Sequence, residues 1–234
     1  MPQITIIETG LLRPPYRERH GSFPEMFERL IGAEDASIGF DVVSVASGEP
    51  LPDPSTLQAI LITGSPAGVY DELDWIAPLE AFVRAAYANK TPMVGVCFGH
   101  QLIAQAMGGV VRKSDKGWGI GRHVYQVTPG NGIIAEEQLA IPCSHQDQVI
   151  EPPAQARTIL ASSFTPHAGL LYANGTTFSV QPHPEFDIDF AEALCEIHQD
   201  HAPESVVADA RASLAAPLDN AKLGRAMTRF LVGR

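Results

Sequence analysis

TPMVGVCFGHQLIAQAMGG occupies residues 91–109. It opens with MVGV, an apolar run introduced by Pro92 and too short for a helix, which predicts a buried strand. Cys97 follows at once. Apolar residues then continue at helical spacing through 102–107 and stop at Gly108-Gly109. Gly95 and Gly99 stand two residues either side of Cys97. A strand that turns directly into a helix has little room for side chains beside its apex, and it lifts the apical side chain clear of the sheet. The pattern is the G-x-S-x-G elbow with sulfur in place of oxygen. Amides at the start of the following helix favour a thiolate there, and Phe98 offers its N–H to a developing oxyanion. The plainer reading is a structural cysteine buried at a strand end.

Working outward, ITIIE (4–8) is short, β-branched and stopped by Gly10, and DVVSVA (41–46) and AILIT (59–63) read the same way, so each predicts a strand. Between them, Phe23, Met26, Phe27, Leu30 and Ile31 recur at helical spacing over 22–31, with Gly32 as the stop. Ile76, Leu79, Phe82, Val83 and Ala86 predict a second helix over 74–88. PLPDP (50–54) is a loop. Alternating buried strands and amphipathic helices imply βαβ units around a mostly parallel sheet, an α/β fold. Right-handed crossovers set the helices on both faces, giving three layers. From about 110 to 180 the pattern changes. HVYQV, TILAS, GLLYA and TTFSV, separated by Pro, Gly and Asn turns, predict antiparallel additions. Beyond Pro184 the chain reads as helical, with an extension over about 202–234 that packs on its own sheet or mediates a homodimer. No repeat or linker interrupts 1–234, which reads as one domain.

With 234 residues, 45% hydrophobic and 18% charged, the chain has the composition of a globular protein. A net charge of -11 with no basic stripe argues against nucleic acid as a partner. Cys97, Cys143 and Cys195 are an odd number at wide spacing, which forms neither a disulfide framework nor a CxxC metal pair. The opening MPQITIIETGLLRPPYRERH lacks the basic head and apolar run of a signal peptide, and no stretch has the apolar length of a membrane span. A reducing cytoplasm is the expected location. No metal or other cofactor is expected. There is no phosphate loop, and the G-x-G near Trp118 lacks a clear preceding strand and meets Arg122 where a dinucleotide fingerprint needs glycine.

A cysteine nucleophile calls for a histidine, and the histidine for a group that orients it. TTFSVQPHPEF ends a β-branched run in His183-Pro184-Glu185. Prolines on both sides of His183 disfavour a helix, and in extended backbone residues i and i+2 share a face, so His183 and Glu185 are expected to be neighbours. A surface turn holding a His and a Glu is the alternative. His145, in CSHQDQV, is either a pocket wall or a rival base paired with Asp147. His100 lies on the helix after Cys97 and is expected to pack or shape the pocket. His20, His123, His167, His198 and His201 have no adjacent feature. Cys143 has no elbow around it, and Cys195 falls in the apolar helical pattern FAEALCEI.

Four motifs in order, ILITGSPAGVYD, VGVCFGHQ, CSHQDQV and QPHPE, resemble the class I (triad) glutamine amidotransferases over about residues 59–186. Among these the chain is similar to the stand-alone members that resemble the GMP synthase amidotransferase domain, and to plant γ-glutamyl peptidases, through YRERHGSFPEMF and GSPAGVYDELDWI. The resemblance implies a flavodoxin-like three-layer α/β fold. It implies that Cys97 attacks a γ-glutamyl amide, that His183 moves the proton and that Glu185 holds His183. It assigns oxyanion donors to Phe98 and to the Gly64-Ser65 turn, and contacts with the glutamyl group to Gln101, Ser144 and His145. Ser65 stands where the family turn has a glycine, which costs more if that residue needs positive φ. The implied substrate is glutamine or a γ-glutamyl compound. The chain then either feeds ammonia to a separate synthetase subunit or works alone as a γ-glutamyl peptidase; a catalytically silent regulatory protein of the same fold is the third reading.

Overall fold

The computed structural model describes residues 1–233; Arg234, the end of the expected helical extension, lies outside the described residues. The first half alternates as the sequence predicts: β1 (Gln3–Glu8), α1 (Tyr16–His20), α2 (Phe23–Gly32), β2 (Gly39–Ser44), β3 (Ile60–Ile62), α3 (Ile76–Ala88), β4 (Met93–Val96) and α4 (Phe98–Ala106). The second half adds β5 (Val110–Lys113), β6 (Gly119–Val127), β7 (Gln138–His145), β8 (Asp147–Glu151), β9 (Ala156–Ala161), β10 (Gly169–Tyr172) and β11 (Thr177–Val180), then α5 (Ile188–Ile197), α6 (Glu204–Ser213) and α7 (Asn220–Leu231). α2 starts on a capping box: Ser22 Oγ accepts from Glu25 N at 3.3 Å, and Glu25 Oε2 accepts from Ser22 N at 2.6 Å.

Nine strands form one sheet in the order β2-β1-β3-β4-β11-β10-β9-β6-β7, and β5 pairs with β8 separately. From β2 to β11 all neighbours are parallel; from β11 to β7 they are antiparallel. The sequence expectation sets TTFSV among the antiparallel additions, which holds on one edge and needs correction on the other: β11 pairs antiparallel with β10 but in parallel with β4, Val180 opposite Val96. All of β11 is buried, the pattern of a strand covered on both faces, which belongs to a parallel interior. The G-x-G near Trp118 is itself strand, the start of β6.

Strand alternation sends side chains into two cores. Ile4, Ile6, Leu61, Val94, Val96, Phe178 and Val180 meet Phe27 and Ile31 of α2 and Leu223, Met227 and Leu231 of α7. Ile7, Ile60, Ile62 and Met93 meet Leu79, Phe82 and Val83 of α3 and Leu102 and Ile103 of α4. Each fully buried Leu, Ile or Phe contributes about 1.5–3 kcal/mol. The C-terminal helices therefore pack on their own sheet: α7 covers its interior, while α5 and α6 cover β6 through Ile120, Ala191, Cys195, Val207 and Ala210. α6 lies directly on the backbone at Gly121, where φ is +83° and a Cβ would meet Ala210 Cα at 2.7 Å. Layers and strand order bring the carboxyl ends of β1, β3, β4 and β11 together, the edge at which parallel sheets place their sites.

Candidate active site

Cys97 sits between β4 and α4 with φ 52° and ψ −103°. Among the described residues only Lys90 shares a positive φ without being glycine. Such a conformation costs roughly 1–3 kcal/mol and persists only where the surroundings impose it. They do so here through both flanking glycines. A Cβ on Gly95 would lie 2.5 Å from Gly99 O, and one on Gly99 would run into Ile62 O. α4 starts at Phe98, immediately after Cys97, the strand-to-helix turn that the sequence predicts. Cys97 N donates to Val180 O at 2.9 Å and Gly99 N to Thr63 O at 3.1 Å, fixing the elbow to β11 and to the end of β3. No backbone carbonyl among the described residues takes the intervening Phe98 N–H.

His183 and Glu185 meet as expected, by a different route. β11 ends at Val180, and residues 183–186 form a turn in which Phe186 N donates to His183 O at 3.4 Å. His183 N is anchored to Pro142 O of β7 at 2.9 Å. Within the turn His183 Nδ1 lies 2.7 Å from Glu185 Oε1, with 5% and 1% of the two side chains exposed. Burial works against a charged imidazole, but Glu185 and then Cys97 outweigh it and lift His183 to about 10. Phe186 stacks on the same ring, centroids 4.0 Å apart and 9° between planes.

Gly64 closes the other side. A Cβ built there would stand 2.9 Å from His183 Cε1 and 3.6 Å from Cys97 Cβ, so both side chains surround one point at this turn. Thr9, which the sequence did not single out, locks the turn from β1: its Oγ1 donates to Gly64 O or Thr63 O at 3.1 Å, and its N to Thr63 Oγ1 at 3.1 Å. Gly10 lies against the turn, where a Cβ would meet Pro66 Cδ and Ser65 Cα at 2.9 Å. Ser65 does not adopt a positive φ, so serine carries no conformational penalty. Its Oγ accepts from Ala67 N at 3.2 Å.

Gln101, one turn along α4 from Cys97, is buried and spends both Nε2 hydrogens inside the protein, on Asp147 O at 2.8 Å and Gln181 Oε1 at 3.0 Å. Only its Oε1 remains for a ligand. Ser144 and His145 point to opposite faces of β7. Ser144 Oγ is paired with His198 Nε2 at 2.8 Å, and Trp118 packs on His198. His145 is buried beside Phe164 and Thr165, and burial pushes it down to about 3, so it is neutral. A His145–Asp147 base pair does not form: His145 Nδ1 meets the Asp147 backbone O at 3.1 Å, while the carboxylate accepts from Tyr70 OH at 2.9 Å. His100 is buried and held down to about 3 by that burial, with Nδ1 on Ser179 Oγ at 2.8 Å, a packing role. All three cysteines are free. Among the described residues no three His, Cys, Asp or Glu side chains gather as a metal site, and no helix is long and apolar enough to cross a membrane. A surface cleft of about 670 Å³ between α1, α2 and α5 is lined by Arg19, Arg29, Asp189 and Glu192, among others, and by none of the residues around Cys97.

An elbow cysteine, a histidine paired with a carboxylate just beyond β11 and a small-residue turn thus lie together at the carboxyl edge of the parallel strands. The chain belongs to the class-I glutamine amidotransferase family, whose model matches residues 26–192. It is 29% identical to gamma-glutamyl peptidase 3 of Arabidopsis thaliana over 192 residues, 77% of this chain and 74% of that protein. It is 28% identical to the glutamine-hydrolyzing GMP synthase subunit of Saccharolobus solfataricus over 162 residues, 68% of this chain and 84% of that protein. The solved structure of a glutamine amidotransferase from Methylobacillus flagellatus has the same fold, with a TM-score of 0.79 at 20% identity over 99% of this chain and 94% of that one.

Proposed function

We propose that the chain is a cysteine hydrolase that cleaves a γ-glutamyl amide through a γ-glutamyl thioester. The observation that carries the reading is the buried 2.7 Å His183–Glu185 pair set against an elbow cysteine. Cys97 Sγ attacks the side-chain carbonyl carbon, and His183 holds the thiol proton. The oxyanion collects at the Phe98 N–H, with the Gly64-Ser65 turn on its other side. His183 then gives its proton to the departing nitrogen, the C–N bond breaks and the thioester remains. Water, activated by the same imidazole, releases glutamate and restores the thiol. Glu185 keeps the imidazole oriented and charged. Gln101 Oε1 is the acceptor on the glutamyl side, and Ser144 and His145 contribute backbone and wall there. A reducing compartment such as the cytoplasm keeps Cys97 a thiol.

Two settings share this chemistry. Similarity to a glutamine-hydrolyzing GMP synthase subunit supports a glutaminase that hands ammonia to a separate synthetase. Similarity to γ-glutamyl peptidases supports hydrolysis by the chain alone. Turnover of glutamine and of a γ-glutamyl dipeptide by the purified chain separates them. Fast dipeptide cleavage, lost in Cys97→Ala, favours the peptidase. Feeble turnover of both, with Cys97 still labelled by a glutamine-like alkylator, favours the synthetase-dependent glutaminase. No labelling of Cys97 and no turnover would leave a silent protein of the same fold and overturn the proposal.

A further inference from the structure

The ring of Phe186 lies flat on the imidazole of His183, 4.0 Å between centroids and 9° between planes. Both side chains are buried, Phe186 at 2% and His183 at 4% exposure, so no water screens the contact. The stack is not a by-product of loose packing. The Phe186 ring also packs against Phe190 (4.6 Å, edge-on) and Phe23 (6.1 Å, tilted), and its backbone carbonyl accepts from Asn220 Nδ2 of α7 at 2.6 Å. A ring packed against two other aromatic rings, on a backbone tied to α7, presents its π face to the imidazole in a fixed plane.

We propose that Phe186 is a positioning residue for His183: its ring face fixes the imidazole plane toward Cys97 and stabilises the cationic form of the ring. This rests on the role given to His183 above. A planar cation on an aromatic face within about 6 Å is attracted by the ring quadrupole, most strongly when desolvated. The charged and titratable groups facing the imidazole are Glu185 on Nδ1, Cys97 from the elbow, and His145 from β7, which is neutral. Glu185 and Cys97 favour the charged ring along its edges, and Phe186 is the group that covers its face.

The test is an NMR titration of the His183 imidazole in substrate-free protein, alongside the pH profile of kcat/KM. Phe186→Leu removes the π face, and pentafluorophenylalanine at 186 keeps the shape while reversing the quadrupole. Both are expected to lower the His183 titration by about one pH unit, Phe186→Tyr restores it, and the alkaline limb of kcat/KM follows with KM little changed. If Phe186→Leu does not fold, the fluorinated ring carries the comparison. A titration unmoved by fluorination overturns the proposal, because packing alone would then account for the stack. An absence of Cys97-dependent turnover in the wild type, by contrast, overturns the reading of the reaction and leaves the titration interpretable on its own.

Discussion

Replacing Glu185 by Gln removes one charge from a buried pair and leaves an acceptor in place. The wild-type contact is 2.7 Å with almost no solvent on either side chain, so neither water nor salt screens the lost charge. The interval between an ordinary imidazole near 6.5 and the value of about 10 reached by His183 corresponds to on the order of 5 kcal/mol in favour of the charged ring. Burial acts against that preference, and Glu185 is the largest cause in its favour, ahead of Cys97. In Glu185→Gln the imidazole therefore loses its proton at lower pH. The sign follows from linkage: a folded value raised above the unfolded one contributes stability that is complete below about 6.5 and is lost as pH rises through about 10. The variant gives up that stability across the neutral range, and its alkaline limb of kcat/KM moves from near 10 toward 6.5. Because a proton must reach the leaving nitrogen, kcat/KM at pH 8 falls by about 10²–10⁴-fold, the usual worth of one general acid–base group. Continuous assay of a γ-glutamyl anilide between pH 5 and 10.5, with urea denaturation at the same pH values, reads both effects. An alkaline limb that stays in place, with kcat/KM within about 3-fold of wild type, would refute the assignment of Glu185, since an oriented, charged imidazole is what the pair supplies.

Gly64→Ala puts a methyl 2.9 Å from His183 Cε1, so the imidazole must shift; kcat/KM is expected to fall about 10²-fold with little change in thermal midpoint, measured by the same assay and a melt. Cys97→Gly and Cys97→Ala both lose turnover, but the glycine variant is the more stable by about 1 kcal/mol in urea because position 97 keeps its φ of 52°. Gly121→Ala destabilises by about 3 kcal/mol, since a Cβ there meets the α6 backbone at a positive φ, while activity per folded molecule is retained; denaturation and active-site titration of the soluble fraction read the two together.

What the sequence reveals and what it conceals divide along the range of the interaction. The elbow is legible because its requirement is local: Gly95 and Gly99 are where a Cβ would strike Gly99 O and Ile62 O. The alternation of the first half is legible because β1, β3 and β4 are buried on both faces while α2 and α3 bury only one. His183 and Glu185 are close enough in the chain that almost any compact path joins them, so the expectation of contact holds although the backbone forms a turn rather than an extended strand. The parallel pairing of TTFSV with β4 is not legible because it depends on which neighbour the strand finds, and four buried residues between turns do not encode a distant partner. Ser144 and His145 adjoin in sequence, yet the pleat sends one to His198 and the other toward Thr165. Thr9 and Phe186 leave no mark, since their importance arises only when β1 reaches the Gly64 turn and the Asn220 amide reaches the Phe186 carbonyl.

The most direct test of the central claim is to mix the purified chain with glutamine or a γ-glutamyl dipeptide, quench in acid at the millisecond-to-second scale, and weigh the intact protein. The account predicts a transient mass increase equal to one γ-glutamyl group, mapped by digestion to Cys97, absent in Cys97→Ala and longer-lived in Glu185→Gln. Hydrolysis that proceeds in Cys97→Ala, or a glutamyl adduct on another residue, would contradict it.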